Sequence, residues 1–297
     1  MVTMKLILAR LSFCLICLSA SAQDAYIQSV DAWHAGRMAR LASEDGWLSL
    51  IGRDWLNQGE NTLGSAAGST VLLPAWAAPA KAGLFILEGT TVRLRPFPGS
   101  GLLLNGKPAT EAVLKSDADG KADLLQAGRV RLYMIRRGNR VGIRLKDSEA
   151  PNRKAFHGVS RYPVHPSWRI EADFVPYESP QIRQIPTVLG TSEPMTAPGL
   201  LKFKVDGREV TLEPMVEDSE HPQLFVIFKD ATSAHGTYPA GRFLYADMPK
   251  SGKVILDFNR AYNPPCAFTL FATCPLPPKQ NQLTIAIPAG EKDPGLH

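Results

Sequence analysis

The residues that could do chemistry are concentrated in one stretch near the C-terminal end of the sequence. Residues 254–278 are V-I-L-D-F-N-R-A-Y-N-P-P-C-A-F-T-L-F-A-T-C-P-L-P-P. A core strand does not tolerate so many prolines, and a surface loop does not need so many aromatic residues. The stretch therefore predicts a strand at 254–258 that continues into a rigid loop lined with polar side chains.

Two arginines could hold an anion here. If Arg242 and Arg260 converge, they could clamp a carboxylate or phosphate through paired hydrogen bonds, with Asn259 and Asn263 beside them. These four residues predict a site for a small anionic or polar ligand. The competing interpretation is a buried structural network, in which Asp257 pairs with an arginine and the asparagines hydrogen-bond loop carbonyls.

The same stretch offers three candidate catalytic groups. Asp257 could act as a general base, Tyr262 as a hydrogen-bond donor and Cys266 as a nucleophile. A hydrolytic enzyme is therefore the alternative to a binding protein, and a partner-binding module of the cell envelope is the third hypothesis. Whether the chain is an enzyme stays open, because no reaction follows from these residues.

Familiar catalytic motifs are missing from the sequence. It has no Gly-x-Ser-x-Gly turn, Walker loop, dinucleotide fingerprint or H-E-x-x-H motif. Its histidines are dispersed, and the acidic run at 117–123 lacks the closing glutamate of a calcium loop. We expect no metal and no cofactor.

The first 22 residues have the composition of a secretory leader. Lys5 and Arg10 accompany a short apolar run at 11–18, and Ala20-Ser21-Ala22 offers a cleavage site. No later stretch approaches the roughly 20 apolar residues of a transmembrane helix. We expect a secreted, periplasmic product without a membrane span in the mature chain; an uncleaved membrane anchor is the alternative.

The charge balance gives no reason to expect a nucleic-acid partner. The sequence has 33 basic and 28 acidic residues, and loss of two basic leader residues would leave 31 against 28, a net charge of +3. The densest basic group flanks Gly138-Asn139 and is typical of a solvated hairpin. The expected partner is a small molecule, and the oligomeric state does not follow from the sequence.

Cleavage of the leader would leave Cys266 and Cys274 as the two cysteines of the chain. Two such residues are expected to pair in an oxidising compartment. A disulfide closing so short a loop would contribute about 2–3 kcal/mol. The alternative is a reactive thiol, which requires an electropositive setting.

The remaining pattern predicts a mainly β fold. Apolar positions such as Val30 and Trp33 share a helical spacing with Arg37, and Asp45-Gly46 ends the pattern. Short β-like runs follow, including those at 83–88, 223–228 and 283–287, separated by turn pairs such as Asn105-Gly106 and Asp206-Gly207. We predict a leader at 1–22, an N-terminal helix at 23–45, a β-sandwich-like unit at 46–150 and a β-rich unit with the site at 151–297. The two β units are expected to be sandwiches or barrels.

The β-like unit at 46–150 resembles a forkhead-associated domain in the order of its glycines and hairpins. That family recognises phosphothreonine through a Gly-Arg and a Ser-x-x-His. Here Gly64 is followed by Ser65, and no Ser-x-x-His follows. The resemblance therefore implies a fold and not phosphopeptide binding.

A second resemblance covers most of the mature chain. The segment D-F-N-R-A-Y-N-P-P-C-A-F-T-x-F-A-T-C-P-L-P-P, with G-R-F-L before it and A-G-E after it, resembles the signature of an uncharacterised bacterial family of domain-of-unknown-function proteins. The similarity extends upstream through G-W-L-S-L-I-G-R-D-W-L-N-Q-G-E-N-T-L-G-S. It implies no activity, cofactor or catalytic residue. Members without leaders carry both cysteines, which keeps a thiol or ligand-lining role open.

Overall fold

The computed structural model of this 297-residue chain describes residues 23–217 and 222–296. The predicted leader at 1–22 lies outside the described residues. The described chain forms two compact units. The N-terminal unit comprises residues 40–157 and 268–273, and the C-terminal unit comprises the described parts of 23–39, 158–267 and 274–296. The boundary thus follows His157, and six residues of the proline-rich loop group with the N-terminal unit.

Helix α1 spans residues 23–41 and confirms the predicted N-terminal helix. Its segment in the C-terminal unit buries Val30 completely. After the helix, the chain turns at Gly46, where an added Cβ would lie 2.3 Å from the backbone oxygen of Leu41. A side chain at Gly46 would therefore collide with the end of the helix. Among the described residues, no helix is long and apolar enough to cross a membrane.

The N-terminal unit contains eleven strands in two sheets and one short helix, α2, at Pro151–Lys154. The strands are β1 (Leu50–Trp55), β2 (Gly59–Gly64), β3 (Val71–Leu72), β4 (Gly83–Glu88), β5 (Thr91–Pro96), β6 (Leu103–Leu104), β7 (Lys107–Pro108), β8 (Ala112–Leu114), β9 (Leu125–Ala127), β10 (Val130–Arg137) and β11 (Arg140–Asp147). One sheet has the order β1-β11-β10-β9-β6-β7 and the other β3-β2-β4-β5-β8.

The two sheets of the N-terminal unit share one apolar core. Phe85 and Leu94 from one sheet and Leu132 and Ile143 from the other belong to the same buried cluster. Alternate residues of β5 and β10 face this core, as expected for two sheets packed face to face. This arrangement is the predicted sandwich, while the resemblance to a forkhead-associated domain stays a prediction.

The C-terminal unit is one nearly closed, antiparallel, barrel-like sheet. Its strands are β12 (Arg169–Pro186), β13 (Ser192–Val205), β14 (Arg208–Leu212), β15 (Met215–Val216), β16 (Gln223–Phe228), β17 (Arg242–Asp247) and β18 (Lys253–Asp257). The order is β17-β16-β15-β13-β12-β18, with β14 paired to β13, and β17 contacts β18. The mainly β fold class is therefore confirmed.

Turn chemistry sets the register of several hairpins. In the turn from β13 to β14, Asp206 and Gly207 have φ angles of 48° and 77°, and Val205 pairs with Arg208. Positive φ at both central residues is the geometry that a two-residue hairpin requires. The run at 283–287 is not a strand, although an alternating pattern predicted one. The backbone N–H of Ile287 instead donates to the Asp230 carboxylate at 2.6 Å.

Candidate functional site

The polar stretch of the C-terminal unit begins where β18 ends. A 3-10 turn at Phe258–Arg260 follows the strand directly. Phe258 is fully buried and packs edge-on against Phe228 at 5.6 Å. This buried ring fixes the turn, so Asp257, Asn259 and Arg260 are held in defined positions around it.

Asp257 and Asn259 form a hydrogen-bonded group with the first turns of α1. The Tyr26 hydroxyl donates to Oδ1 of Asp257 at 2.8 Å, and Nδ2 of Asn259 donates to the Tyr26 oxygen at 2.9 Å. Asn259 also donates to the carbonyl of His165 at 2.9 Å and accepts from its N–H at 3.0 Å. Burial and the neighbouring Asp257 raise the pKa of Tyr26, which keeps its hydroxyl a donor.

Arg260 is the most exposed of the four predicted ligand-binding residues, with 37% of its side chain accessible. Its Nε lies 3.3 Å from Oδ2 of Asp257, and its Nη2 donates to the Ser29 hydroxyl at 3.2 Å. Asp257, proposed above as a base, is therefore held between a tyrosine, an asparagine and an arginine.

Arg242, the first residue of β17, lies in a different environment and is fully buried. Its Nη2 pairs with Oδ1 of Asp230 at 3.1 Å and donates to the carbonyl of Ile287 at 2.9 Å, while Nη1 donates to the carbonyl of Ala289. Burial lowers the pKa of Arg242, and the adjacent Asp230 offsets part of that effect. Arg242 has no exposed surface. Its contacts match the structural-network interpretation.

Asn263, the fourth predicted ligand-binding residue, lies beside the buried carboxylate of Glu291. The Asn263 N–H donates to Oε2 of Glu291 at 2.8 Å, and its Nδ2 donates to the carbonyl of Lys292 at 2.7 Å. Arg37 of α1 completes the group. Its Nε and Nη2 lie 2.5 Å and 3.2 Å from the Glu291 carboxylate, and Nη2 also donates to the carbonyl of Asn263.

Tyr262, a candidate catalytic donor, is packed into an aromatic row. The Arg37 guanidinium lies 4.4 Å from its ring centre, and Trp33 packs at 6.4 Å. On its other side the Tyr262 ring stacks against Tyr245 at 6.2 Å. Burial raises the pKa of the Tyr262 hydroxyl, so it remains protonated at neutral pH.

These contacts show that one face of α1 lies on the D-F-N-R-A-Y-N segment. Tyr26, Ser29, Trp33 and Arg37 supply the contacts, and their spacing of three, four and four residues is that of one helix face.

Three of the six buried side-chain polar atoms that lack a hydrogen-bond partner among the described residues lie near Glu291; the other three are Nε of Arg53, Arg242 and Arg260. Buried Nε2 of His34, Nη1 of Arg161 and Oδ1 of Asn263 have no hydrogen-bond partner among the described residues. Arg161 forms a backbone bridge with Glu291, and the charges of Glu291 and Arg161 both act on His34. Burial lowers the pKa of His34, which favours a neutral imidazole. We call His34, Arg37, Arg161, Asn263 and Glu291 the Glu291 cluster.

Cys266 and Cys274 are adjacent buried thiols in the structure. The backbone N–H of Cys266 donates to Sγ of Cys274 at 3.1 Å. The Tyr238 hydroxyl donates to the carbonyl of Cys266 at 3.2 Å. The predicted disulfide stays a prediction.

The N-terminal unit holds a shallow surface depression of about 530 Å³. It is lined by residues 95–103 and 108–111 and contains none of the predicted site residues. Its charged lining residues, Arg95 and Glu111, are exposed and lie 3.6 Å apart. Exposed pairs of this kind carry little binding energy, so the depression is a weaker candidate than the Glu291 cluster.

Comparison with known proteins places the polar site inside a recognised domain. A family model described as "Protein of unknown function (DUF1684)" matches residues 154–292. The chain belongs to this family. The predicted membership in a domain-of-unknown-function family is thus confirmed, and the DUF1684 match includes Arg161, Asn263 and Glu291, whereas α1 precedes it.

One solved structure is similar to the DUF1684 chain at the level of sequence. It is an uncharacterized protein of Haloarcula marismortui determined by solution NMR, with 31% sequence identity. The match covers 49% of this chain and 81% of that chain, with a TM-score of 0.41. No curated protein matches the chain significantly.

The contribution of α1 to this site was not predicted from the sequence. Arg37 was the available signal, because an arginine occupied a position in the otherwise apolar stripe of the helix. Tyr26, His34 and Arg161 carried no such signal, since their partners lie more than a hundred residues away. Among the described residues, no group of three or more His, Cys, Asp or Glu side chains is arranged to hold a metal ion.

Proposed function

We propose that this DUF1684 protein is an exported binding protein for a small anionic or polar molecule, held at the Glu291 cluster beside the 257–266 segment. The observation that carries the proposal is the group of unpaired buried polar atoms on His34, Arg161 and Asn263. Buried polar groups in folded proteins nearly always have a partner, and a bound ligand is one way to supply it.

The unpaired atoms specify the chemistry of the ligand. One guanidinium nitrogen of Arg161 is taken by Asp31, which leaves Nη1 as a charged donor. It would bind a carboxylate, phosphate or hydroxyl oxygen of the ligand. Asn263 offers Oδ1 as an acceptor for a ligand hydroxyl or amine. Nε2 of neutral His34 can act as a donor or an acceptor, depending on the tautomer. A ligand that combines an acidic group with a hydroxyl or amine satisfies all three.

The predicted site residues have different roles in the proposed ligand site. Asn263 binds directly. Arg260, whose Nε forms an ion pair with Asp257, lies at the Tyr26 end of the same helix face. Asn259 and Arg242 act as supports, because the amide of Asn259 and both terminal nitrogens of Arg242 already have partners. Export is proposed on the composition of the leader alone.

A ligand screen tests the proposal on exported full-length protein. Native mass spectrometry would first report any molecule that co-purifies. Calorimetry with simple carboxylates, hydroxy acids, amino acids and phosphate esters would then give affinities. Arg161→Gln should weaken binding at least tenfold, because it removes the charged donor. The matched control is Arg208→Gln at an exposed position of β14.

Two results would overturn the proposal. One is a clean, ligand-free protein that binds no member of the panel. The other is a bound ligand whose affinity Arg161→Gln and Arg208→Gln affect equally.

A further inference from the structure

The two cysteines flank a short chain segment that groups with the N-terminal unit. Cys266 lies in a 3-10 turn at Pro265–Ala267, and residues 268–273 belong to the N-terminal unit. Cys274 is fixed on its other side, since its carbonyl accepts from Val188 N–H at 3.0 Å and the following Pro275 bridges Thr187. Both cysteines are therefore anchored in the C-terminal unit, on segments whose backbone is fixed.

The two thiols differ in their surroundings. The hydrogen bond from Cys274 holds the pKa of the Cys266 thiol below its ordinary value, against the opposing effect of burial. The nearby Tyr238 hydroxyl acts in the same direction. Burial and the two cysteines raise the pKa of Tyr238, so it stays protonated and can donate. Cys266 also retains 9% exposure, against 4% for Cys274.

We propose that Cys266 and Cys274 form a dithiol–disulfide exchange site, in which Cys266 attacks an external disulfide and Cys274 resolves the product. The inference goes beyond ligand binding and does not depend on it. The hydrogen bond from Cys266 N–H to Cys274 Sγ carries it, because it holds Cys274 beside Cys266 and supports negative charge on Sγ of Cys274, the thiolate that resolves the product.

The exchange proceeds in two balanced steps. The Cys266 thiolate attacks one sulfur of a low-molecular-weight disulfide, breaks its S–S bond and releases one thiolate. Cys274 then loses its proton to solvent, and its thiolate attacks Sγ of Cys266 and expels the second thiolate. The two cysteines are oxidised to an intramolecular disulfide, and the external disulfide is reduced to two thiols.

Oxidised glutathione is a suitable probe of this chemistry. The full chain is reduced, freed of reductant, exposed to oxidised glutathione near neutral pH and quenched with acid for intact mass measurement. The wild type should lose two hydrogens without accumulating an adduct. Cys274→Ser should accumulate one glutathione on Cys266. Cys266→Ser should be modified at least tenfold more slowly than Cys274→Ser.

Controls separate reactivity from folding. Circular dichroism shows whether each variant is folded, and the same reaction in urea shows that each remaining thiol can be modified. The proposal is overturned if the folded Cys266→Ser variant reacts as fast as Cys274→Ser. It is also overturned if the folded wild type gives either no product or a lasting adduct.

Discussion

Glu291 accepts two hydrogen bonds from the guanidinium of Arg37, although 254 residues separate them in the chain. Only 13% of the Arg37 side chain and 1% of the Glu291 side chain is exposed. The pair attaches the first helix to the end of the DUF1684 domain. It also places His34, one turn before Arg37, within the charge field of Glu291.

Arg37→Gln should detach this part of α1, because it leaves the Glu291 carboxylate buried without its charge partner. Breaking a buried pair in this way costs about 3 kcal/mol or more. Urea unfolding would measure the loss, and hydrogen exchange would show weakened protection of residues 23–39. Arg40→Gln, at an exposed position of the same helix, is the control. Equal effects of the two substitutions would show that the ion pair does not hold the helix.

Arg242→Met should destabilise the C-terminal unit by about 3–5 kcal/mol, since the buried Asp230 carboxyl would lose its cationic partner. The same substitution in an Asp230→Asn background should cost less, because no carboxylate remains to be stranded. A double-mutant cycle by urea unfolding measures this coupling. Additive effects would contradict a structural role for the pair.

Acid should reduce stability in two separate pH ranges. Burial is the main cause that lowers the pKa of folded His34 below 6.5, helped by Arg161 and Arg37 and opposed by Glu291 and Asp31. The unfolded chain therefore binds this proton more readily than the folded chain. The stabilisation by neutral His34 is complete above the unfolded pKa near 6.5 and is lost as pH falls through the folded pKa.

The second range is more acidic and comes from carboxylates such as Glu213. Burial alone would raise the pKa of Glu213, but hydrogen bonds from Arg183, Tyr177 and Gln280 outweigh it and lower that pKa. Its contribution is complete above about 4.5 and is lost below that pH. His34→Gln should remove the loss of stability just below pH 6.5 and leave the second range intact. Thermal unfolding across pH 3–8 checks this, and unchanged curves would contradict the assignment to His34.

Tyr238→Phe should move the pH midpoint of Cys266 alkylation upward in the Cys274→Ser background. The substitution removes a hydroxyl that donates beside the thiolate, so the thiol should hold its proton to higher pH. The rate of iodoacetamide reaction against pH gives the midpoint. The control is Tyr177→Phe, because the Tyr177 hydroxyl donates to Glu213. If Tyr238 has a purely structural role, Tyr238→Phe will change the stability of the protein but leave the pH midpoint of Cys266 alkylation unchanged.

Local sequence signals were sufficient for much of the fold. The runs at 83–88 and 223–228 became strands with those bounds, because alternation and β-branched or aromatic content are local properties. Asn105-Gly106 and Gly138-Asn139 became hairpin turns for the same reason. The run at 283–287 did not become a strand. Its Ile287 N–H donates to the side chain of Asp230, and Leu283 N–H and the Ile285 carbonyl bond to the backbone of Lys229 and Ala231, partners that are distant in sequence.

The functional site could be predicted from the sequence only in part. The sequence alone determined that polar and thiol groups concentrate at 257–274, since residue types and proline spacing can be taken directly from the chain. Only the tertiary structure decided which of those groups meet. It buried Arg242 against Asp230 and brought Arg37 to Glu291. Arg242 and Asp230 are 12 residues apart and Arg37 and Glu291 are 254 apart, and in both cases the pairing depends on how the elements pack, which no local pattern contains.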